Sequence, residues 1–212
     1  MNSINHSLIF IFISISTFIF SGELITISGK PTTTTTTTTD FIRTSCNVTL
    51  YPSLCINSLS SYSATVRHDP RQLAHAAISV SADRASAASA FVSRLSANSS
   101  KSLSSRDAGA VKDCVETMKD SVDKLRNSVK EMEKILGKVG KREFAWCVSN
   151  VQTWVSAALT DESTCMDGLK SMNNKNNGAV LVRVGINKKV VEVVHTTSNA
   201  LALVNHMGSP TY

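Results

Sequence analysis

The chain has 212 residues and a formal net charge of +6, with two Trp, three Tyr and seven Phe among many Ala, Val, Ser and Leu. That length suits one domain with extensions, and so low an aromatic content favours closely packed helices over a β-sandwich. The modest positive charge suits an acidic partner, but without a basic-aromatic ladder or zinc-ligand spacing it argues against a nucleic-acid binder.

Leu8 to Phe20 is an apolar run without a charge, and Glu23 limits its extension. It falls short of the ~20 residues a helix needs to cross a bilayer, so it reads as a secretory signal. Residues 1–29 are assigned to that signal, with cleavage among the small residues of 21–29. The segment MNSINH ahead of the run carries no Lys or Arg, which leaves an uncleaved anchor as the competing reading. Contact with a membrane is then expected only during secretion. Residues 30–39, with threonine at every position from Thr32 to Thr39, cannot bury apolar surface and are expected to be a disordered spacer. The folded domain is expected over 40–207, with a tail at 208–212.

Asp40 is placed as the cap of a short helix carrying Phe41, Ile42 and Cys46, and Pro52 in the first turn of a second with Leu54, Cys55 and Leu59. Together they form a helical hairpin with a cysteine in each arm. Asp69-Pro70 opens a long helix with Leu73, Ala77, Val80, Arg84, Ala87, Phe91 and Leu95 on one side, ending near Ala97 before a polar loop from Asn98 to Ser105. From Arg106 to Gly137 the apolar residues Val111, Val115, Met118, Val122, Leu125, Val129, Met132 and Leu136 recur at alternating intervals of four and three, the stripe of an amphipathic helix. A third long helix spans Lys141 to about Gly168, with Phe144, Val148, Val151, Val155 and Ala158 inward and both tryptophans beside them. After the loop Asn173–Gly178, a fourth runs from Ala179 to about Met207 with Val180, Val184, Val191, Val194, Ser198 and Leu201 inward. The fold class is all-α: an antiparallel up-down four-helix bundle with an N-terminal α-helical hairpin.

The five cysteines are Cys46, Cys55, Cys114, Cys147 and Cys165. An odd number in a secreted chain leaves at least one thiol unpaired, and spacing alone leaves the connectivity open. The hairpin brings Cys46 near Cys55. Antiparallel helices bring the start of one, at Cys114, near the end of the next, at Cys165, while Cys147 lies about 27 Å from Cys165 along its helix.

At CNVTLYPSLCINSL, AVKDCVETMKDSVDKL, VQTWVSAALTDESTCMDGL and VVHTTSNALALVN, the chain resembles the plant inhibitors of pectin methylesterase and of invertase, over about residues 40 to 206. The resemblance implies two disulfides, Cys46–Cys55 and Cys114–Cys165, with Cys147 as the additional free thiol. It also implies an extracellular, cell-wall protein that is not an enzyme, needs no cofactor, and binds its target one-to-one over the active-site cleft, largely through the second and third bundle helices. Invertase inhibitors of the family carry a Pro-Lys-Phe motif. This chain has none, and no proline between Pro70 and Pro210, which favours pectin methylesterase as the partner over acid invertase.

The candidate contact residues are Asp113, Glu116, Thr117, Asp120 and Asp123, polar groups suited to hydrogen bonding in a carbohydrate-binding cleft. The competing reading is a solvated face with ordinary i,i+4 pairs, such as Asp120–Lys124. No histidine of His6, His68, His75, His195 and His206 lies in a catalytic motif, G-x-S-x-G is absent, and Gly137–Arg142 lacks the spacing of a phosphate loop. His195 and His206, eleven apart, share a helix face but lack the accompanying ligands of a metal site. Two further roles compete with inhibition: binding pectin directly through the positive charge, and acting as the N-terminal pro-region of a larger enzyme. Between Met1 and Tyr212 a free-standing inhibitor is the expectation. Asn98, in the expected loop, and Asn47, expected to be hindered beside Cys46, are the glycosylation acceptors.

Overall fold

The computed structural model describes residues 37–99, 102–173 and 175–209. The apolar run of the signal and the threonines before Thr37 lie outside the described residues. Within them, all regular structure is helical.

Helix α1 (Thr38–Cys46) begins inside the threonine run, ahead of Asp40. Thr37 is its cap: the hydroxyl oxygen accepts the Asp40 N–H at 3.2 Å, and the Asp40 carboxylate accepts the Thr37 N–H at 3.2 Å and hydroxyl at 2.7 Å. Asp40 thus answers the cap instead of forming it, in a reciprocal box that a Thr-x-x-Asp spacing permits. The Thr37 hydroxyl and N–H hold the Asp40 carboxyl below its ordinary range. Thr37 to Thr39 therefore belong to the fold, not to the spacer.

Helix α2 (Pro52–Leu59) carries its proline in the first turn, as expected. A 3₁₀ turn (Ser60–Tyr62) and a short α3 (Ser63–Val66), neither read from the sequence, extend it. Arg67 and His68 then take φ of 44° and 66°, left-handed residues that stop the helix and turn the chain. Asp69 accepts the Arg71 N–H at 2.8 Å and caps the next helix.

The bundle is α4 (Pro70–Ser99), α5 (Ser105–Leu136), α6 (Lys141–Leu169) and α7 (Asn177–Gly208). Each packs against its chain neighbours, and α7 closes the ring against α4. At one end, Ser104 caps α5 by accepting the Asp107 N–H, and the Asp107 carboxylate also accepts the Asn173 N–H at 3.0 Å. Asn176 caps α7 and donates to the Ser102 carbonyl at 3.4 Å, so the two connections at this end hold each other.

The buried faces differ from the expected ones in three helices. On α5 the face centres on Val111, Cys114, Met118, Ser121, Leu125, Ser128 and Met132; Val115, Val129 and Leu136 only flank it. Small polar residues sit in the seam, so the apolar pattern marked one edge. On α4 the core face is Ala74, Ala77, Ser81, Ala85, Ala88 and Val92, while Arg84 and Phe91 lie at its margin. On α7, Ala179, Val182, Ile186, Val190, Val193, Thr197, Ala200 and Val204 are buried, and Val184, expected inward, is 55 % exposed. Valines occupy most sides of that helix, so periodicity alone does not choose a side. α6 packs through Val148, Val151, Val155 and Ala158 as expected.

Cys46 is bonded to Cys55 and Cys114 to Cys165, with Cα separations of 5.7 and 4.2 Å; Cys147 is free and buried. The hairpin docks on α7 through Asn199, whose side chain accepts the Tyr51 N–H at 3.0 Å and donates to the Tyr51 carbonyl at 2.9 Å. The Tyr51 ring stacks on His195 at 3.7 Å between centroids. His195 is therefore a packing residue, while His206 is exposed near the end of α7.

Candidate partner-docking face

Asp113, Glu116, Asp120 and Asp123 are all exposed and fall in one row on the outward side of α5, opposite its seam. Thr117 differs from expectation. It is half-buried, and its hydroxyl donates to the Cys114 carbonyl at 3.2 Å. Glu116 lies 3.9 Å from Lys112 across one turn, an exposed pair of small energetic consequence. The expected Asp120–Lys124 pair is replaced. Lys124 reaches across to Asp161 of α6 at 2.7 Å, where both side chains are partly shielded. Asp123 stands at the α4 edge of the row, lining a shallow groove with Lys119 and Arg126.

α6 supplies the other half of this face, through residues that the sequence reading did not single out as contacts. Trp146 is 69 % exposed. Ser149, Thr153, Ser156, Thr160 and Thr164 follow it along the exposed side. Their spacing of three and four was the available signal. The hydroxyls of Thr153, Thr160 and Thr164 donate to the carbonyls four residues back at 2.9, 3.0 and 2.8 Å. Their donors are thus engaged, and what they offer outward is oxygen lone pairs.

The two rows are held rigidly together. Besides Lys124–Asp161, the Glu131 carboxylate accepts Asn150 of α6 at 3.0 Å and Lys134 at 2.7 Å. The Lys134 hydrogen bond is the main cause holding the Glu131 carboxyl below its usual range. Cys147 lies against that carboxylate, and burial, followed by Glu131, pushes its thiol upward and away from reactivity. Deeper in the seam, Glu162 is fully buried, its Oε1 accepting the Ser121 hydroxyl at 2.7 Å and the Thr197 hydroxyl at 2.9 Å. Burial raises its carboxyl to about 7 against the opposing hydroxyl bonds. The Cys114–Cys165 bridge ties the same two helices at one end.

Among the described residues, no group of three or more His, Cys, Asp or Glu side chains is arranged to hold a metal, and no helix is long and apolar enough to cross a membrane. Asn47 is exposed at the end of α1, less hindered than expected. Asn98, also exposed, sits in the last turn of α4 and not in a loop.

A family model described as plant invertase/pectin methylesterase inhibitor matches residues 40–203. The chain is similar to a 21 kDa protein of Daucus carota, 40 % identical over 199 residues that cover 93 % of this chain and 97 % of the relative. It is also similar to pectinesterase inhibitor 9 of Arabidopsis thaliana, 46 % identical over 168 residues covering 78 % of this chain and 79 % of the relative. Among solved structures, a mutant form of a pectin methylesterase inhibitor from Arabidopsis superposes with a TM-score of 0.56, covering 77 % of this chain and 95 % of that one at 19 % identity, a likeness of fold. With the hairpin, the ring of four helices and the two disulfides in place, this match along nearly the whole folded part is decisive: the chain belongs to the plant invertase/pectin methylesterase inhibitor family.

Proposed function

We propose that this chain is a secreted, extracellular inhibitor of pectin methylesterase that binds the enzyme one-to-one and covers its active-site cleft with the α5/α6 face, limiting de-esterification of pectin in the cell wall. The observation that carries this reading is the braced pair of rows on that face: exposed carboxylates on α5 beside outward-facing hydroxyl oxygens and Trp146 on α6. A cleft that accommodates a carbohydrate offers hydrogen-bonding groups along its length, and two parallel rows of acceptors complement it. The 32 residues of α5 give the face a length of about 48 Å. Two helices side by side, each about 10 Å wide, present roughly 900 Å², near the ~800 Å² per partner of a standard stable interface. The seam braces keep ordering costs low on binding. The naming of relatives as pectinesterase inhibitors points to the same target.

The test titrates the oxidised protein, in parallel, against a pectin methylesterase and an acid invertase. Esterase activity is expected to fall linearly to an equivalence point at one inhibitor per enzyme while invertase is unaffected. Stoichiometric loss of invertase activity alone would reverse the assignment of target.

A further inference from the structure

The opposite side of the bundle, between α4 and α7, carries a second feature that the docking face does not use. A groove of about 280 Å³ runs there, just under the ~300 Å³ at which small-ligand sites begin. Its wall includes Phe91, Ala87 and Ala88, and its charged residues are Arg84, Arg94, Lys189 and Glu192. Among the described residues Glu192 pairs with Arg84 alone, at 3.5 Å. Among the described residues, no carboxylate lies within ion-pair distance of Arg94 or Lys189. Three cations face one anion.

We propose that this groove binds a de-esterified uronic-acid oligosaccharide, a stretch of the acidic polysaccharide that a pectin methylesterase produces. A pyranose has flat C–H faces, which pack on an aromatic ring and on alanines, and the carboxylates at its edges meet Arg and Lys. Arg84 and Arg94 are separated by about 15 Å along α4. The positive charges therefore recur along the groove, as suits a polyanion better than one compact anion. An acidic peptide fits less well, because its backbone lacks the regular flat C–H faces that pack on Phe91 and the alanines. The inference rests on the proposed function only for the setting in which such a polymer is met. Because α4 and α7 lie across the ring from α5 and α6, polymer and enzyme can be held at once, which would keep the inhibitor where newly exposed carboxylates accumulate.

The experiment is calorimetric titration of the whole protein with a fully de-esterified oligogalacturonide, the same oligomer fully methyl-esterified, and polyaspartate, at low and at physiological salt. Saturable binding of the acid form is expected, about tenfold or more tighter than that of the ester and weakened by salt. Arg94→Gln/Lys189→Gln, both exposed, is expected to weaken it about tenfold, whereas Lys112→Gln/Lys119→Gln on α5 is not. Absence of saturable binding, equal affinity for the ester, or equal losses in both double variants would overturn the proposal. Polyaspartate binding more tightly through Arg94 and Lys189 would also overturn it and assign the groove to an acidic protein segment. The Arg94→Gln/Lys189→Gln protein should still inhibit the esterase fully. If the unaltered protein fails to inhibit the esterase yet binds the acid oligomer, the proposed function falls while the groove assignment stands.

Discussion

Glu162 occupies a position where a helical bundle ordinarily places an aliphatic side chain. Among the described residues its hydrogen-bonding partners are two hydroxyls, both on Oε1, and Oε2 has none. Asp161, engaged by Lys124 one residue away, adds a like charge that favours the neutral form. Burial raises the folded-state value from 4.5 to about 7, so the sign of the linkage is fixed. Below about pH 4.5 the carboxyl is neutral in folded and unfolded chains alike. As pH climbs towards 7 the unfolded chain releases its proton while the folded chain keeps it, so stability falls by ~1.4 kcal/mol per pH unit, about 3 kcal/mol in all, and then levels off. Urea midpoints between pH 4 and 8 should show this decline, and Glu162→Gln should flatten it. A decline of unchanged size in the variant would place its origin elsewhere. This carboxyl favours the fold at acidic pH, whereas the lowered Asp40 and Glu131 carboxyls and the lowered His75 imidazole work in the opposite direction. The stripe Val148, Val151, Val155 and Ala158 continues in step to position 162 and Cys165, so the register placed this carboxylate inward, but flanking Asp161, Ser163 and Thr164 give the stretch the appearance of a solvated turn of helix.

At the scale of elements, the hairpin is the separable unit. It is closed by its own disulfide and fastened to α7 by Asn199, which satisfies both backbone groups of Tyr51. Asn199→Ala strips both partners at once from a partly buried peptide unit, a loss of about 1–3 kcal/mol. Amide hydrogen exchange should then quicken in α1 and α2 while α5 and α6 remain protected; uniform acceleration would show that the latch belongs to the global fold instead. The latch illustrates what was legible. Helix starts and stops were written locally in Asp69-Pro70, Pro52 and the glycines after α5, and strict three-four spacing located α5 and α6. The buried sides of α4 and α7 were not legible, because alanines and serines fill the first and valines surround the second. Asn199 and Tyr51, far apart in sequence, carried no local sign of their contact. The α6 half of the candidate face was legible in its hydroxyl spacing, yet acidic residues on α5 drew the assignment to one helix.

At the scale of the whole molecule, three large apolar side chains outside the hairpin are strongly exposed among the described residues: Trp146 on α6, and Leu181 and Val184 on α7. They lie on different helices, and the ring order of the bundle gives them different surroundings. Trp146 stands beside hydroxyl oxygens and a braced seam, the setting in which a rigid aromatic serves as an interface anchor. Leu181 and Val184 lie on a helix outside the proposed docking face. If α5 and α6 form that face, Trp146→Ala should weaken esterase inhibition about thirtyfold, the effect of losing a ~2 kcal/mol anchor. Leu181→Thr/Val184→Thr should leave inhibition unchanged. Each of these side chains is more than half exposed, so both changes remove little buried surface and thermal midpoints should stay close to the parent's, which separates lost contact from lost fold. Adding Asp120→Lys to Trp146→Ala should deepen the defect through the on-rate, and raising salt should change that added loss more than the loss from Trp146 itself. Inhibition unaffected by Trp146→Ala but abolished by the pair on α7 would move the docking face to the other side of the bundle. The row of carboxylates on α5 would then be an ordinary solvated surface.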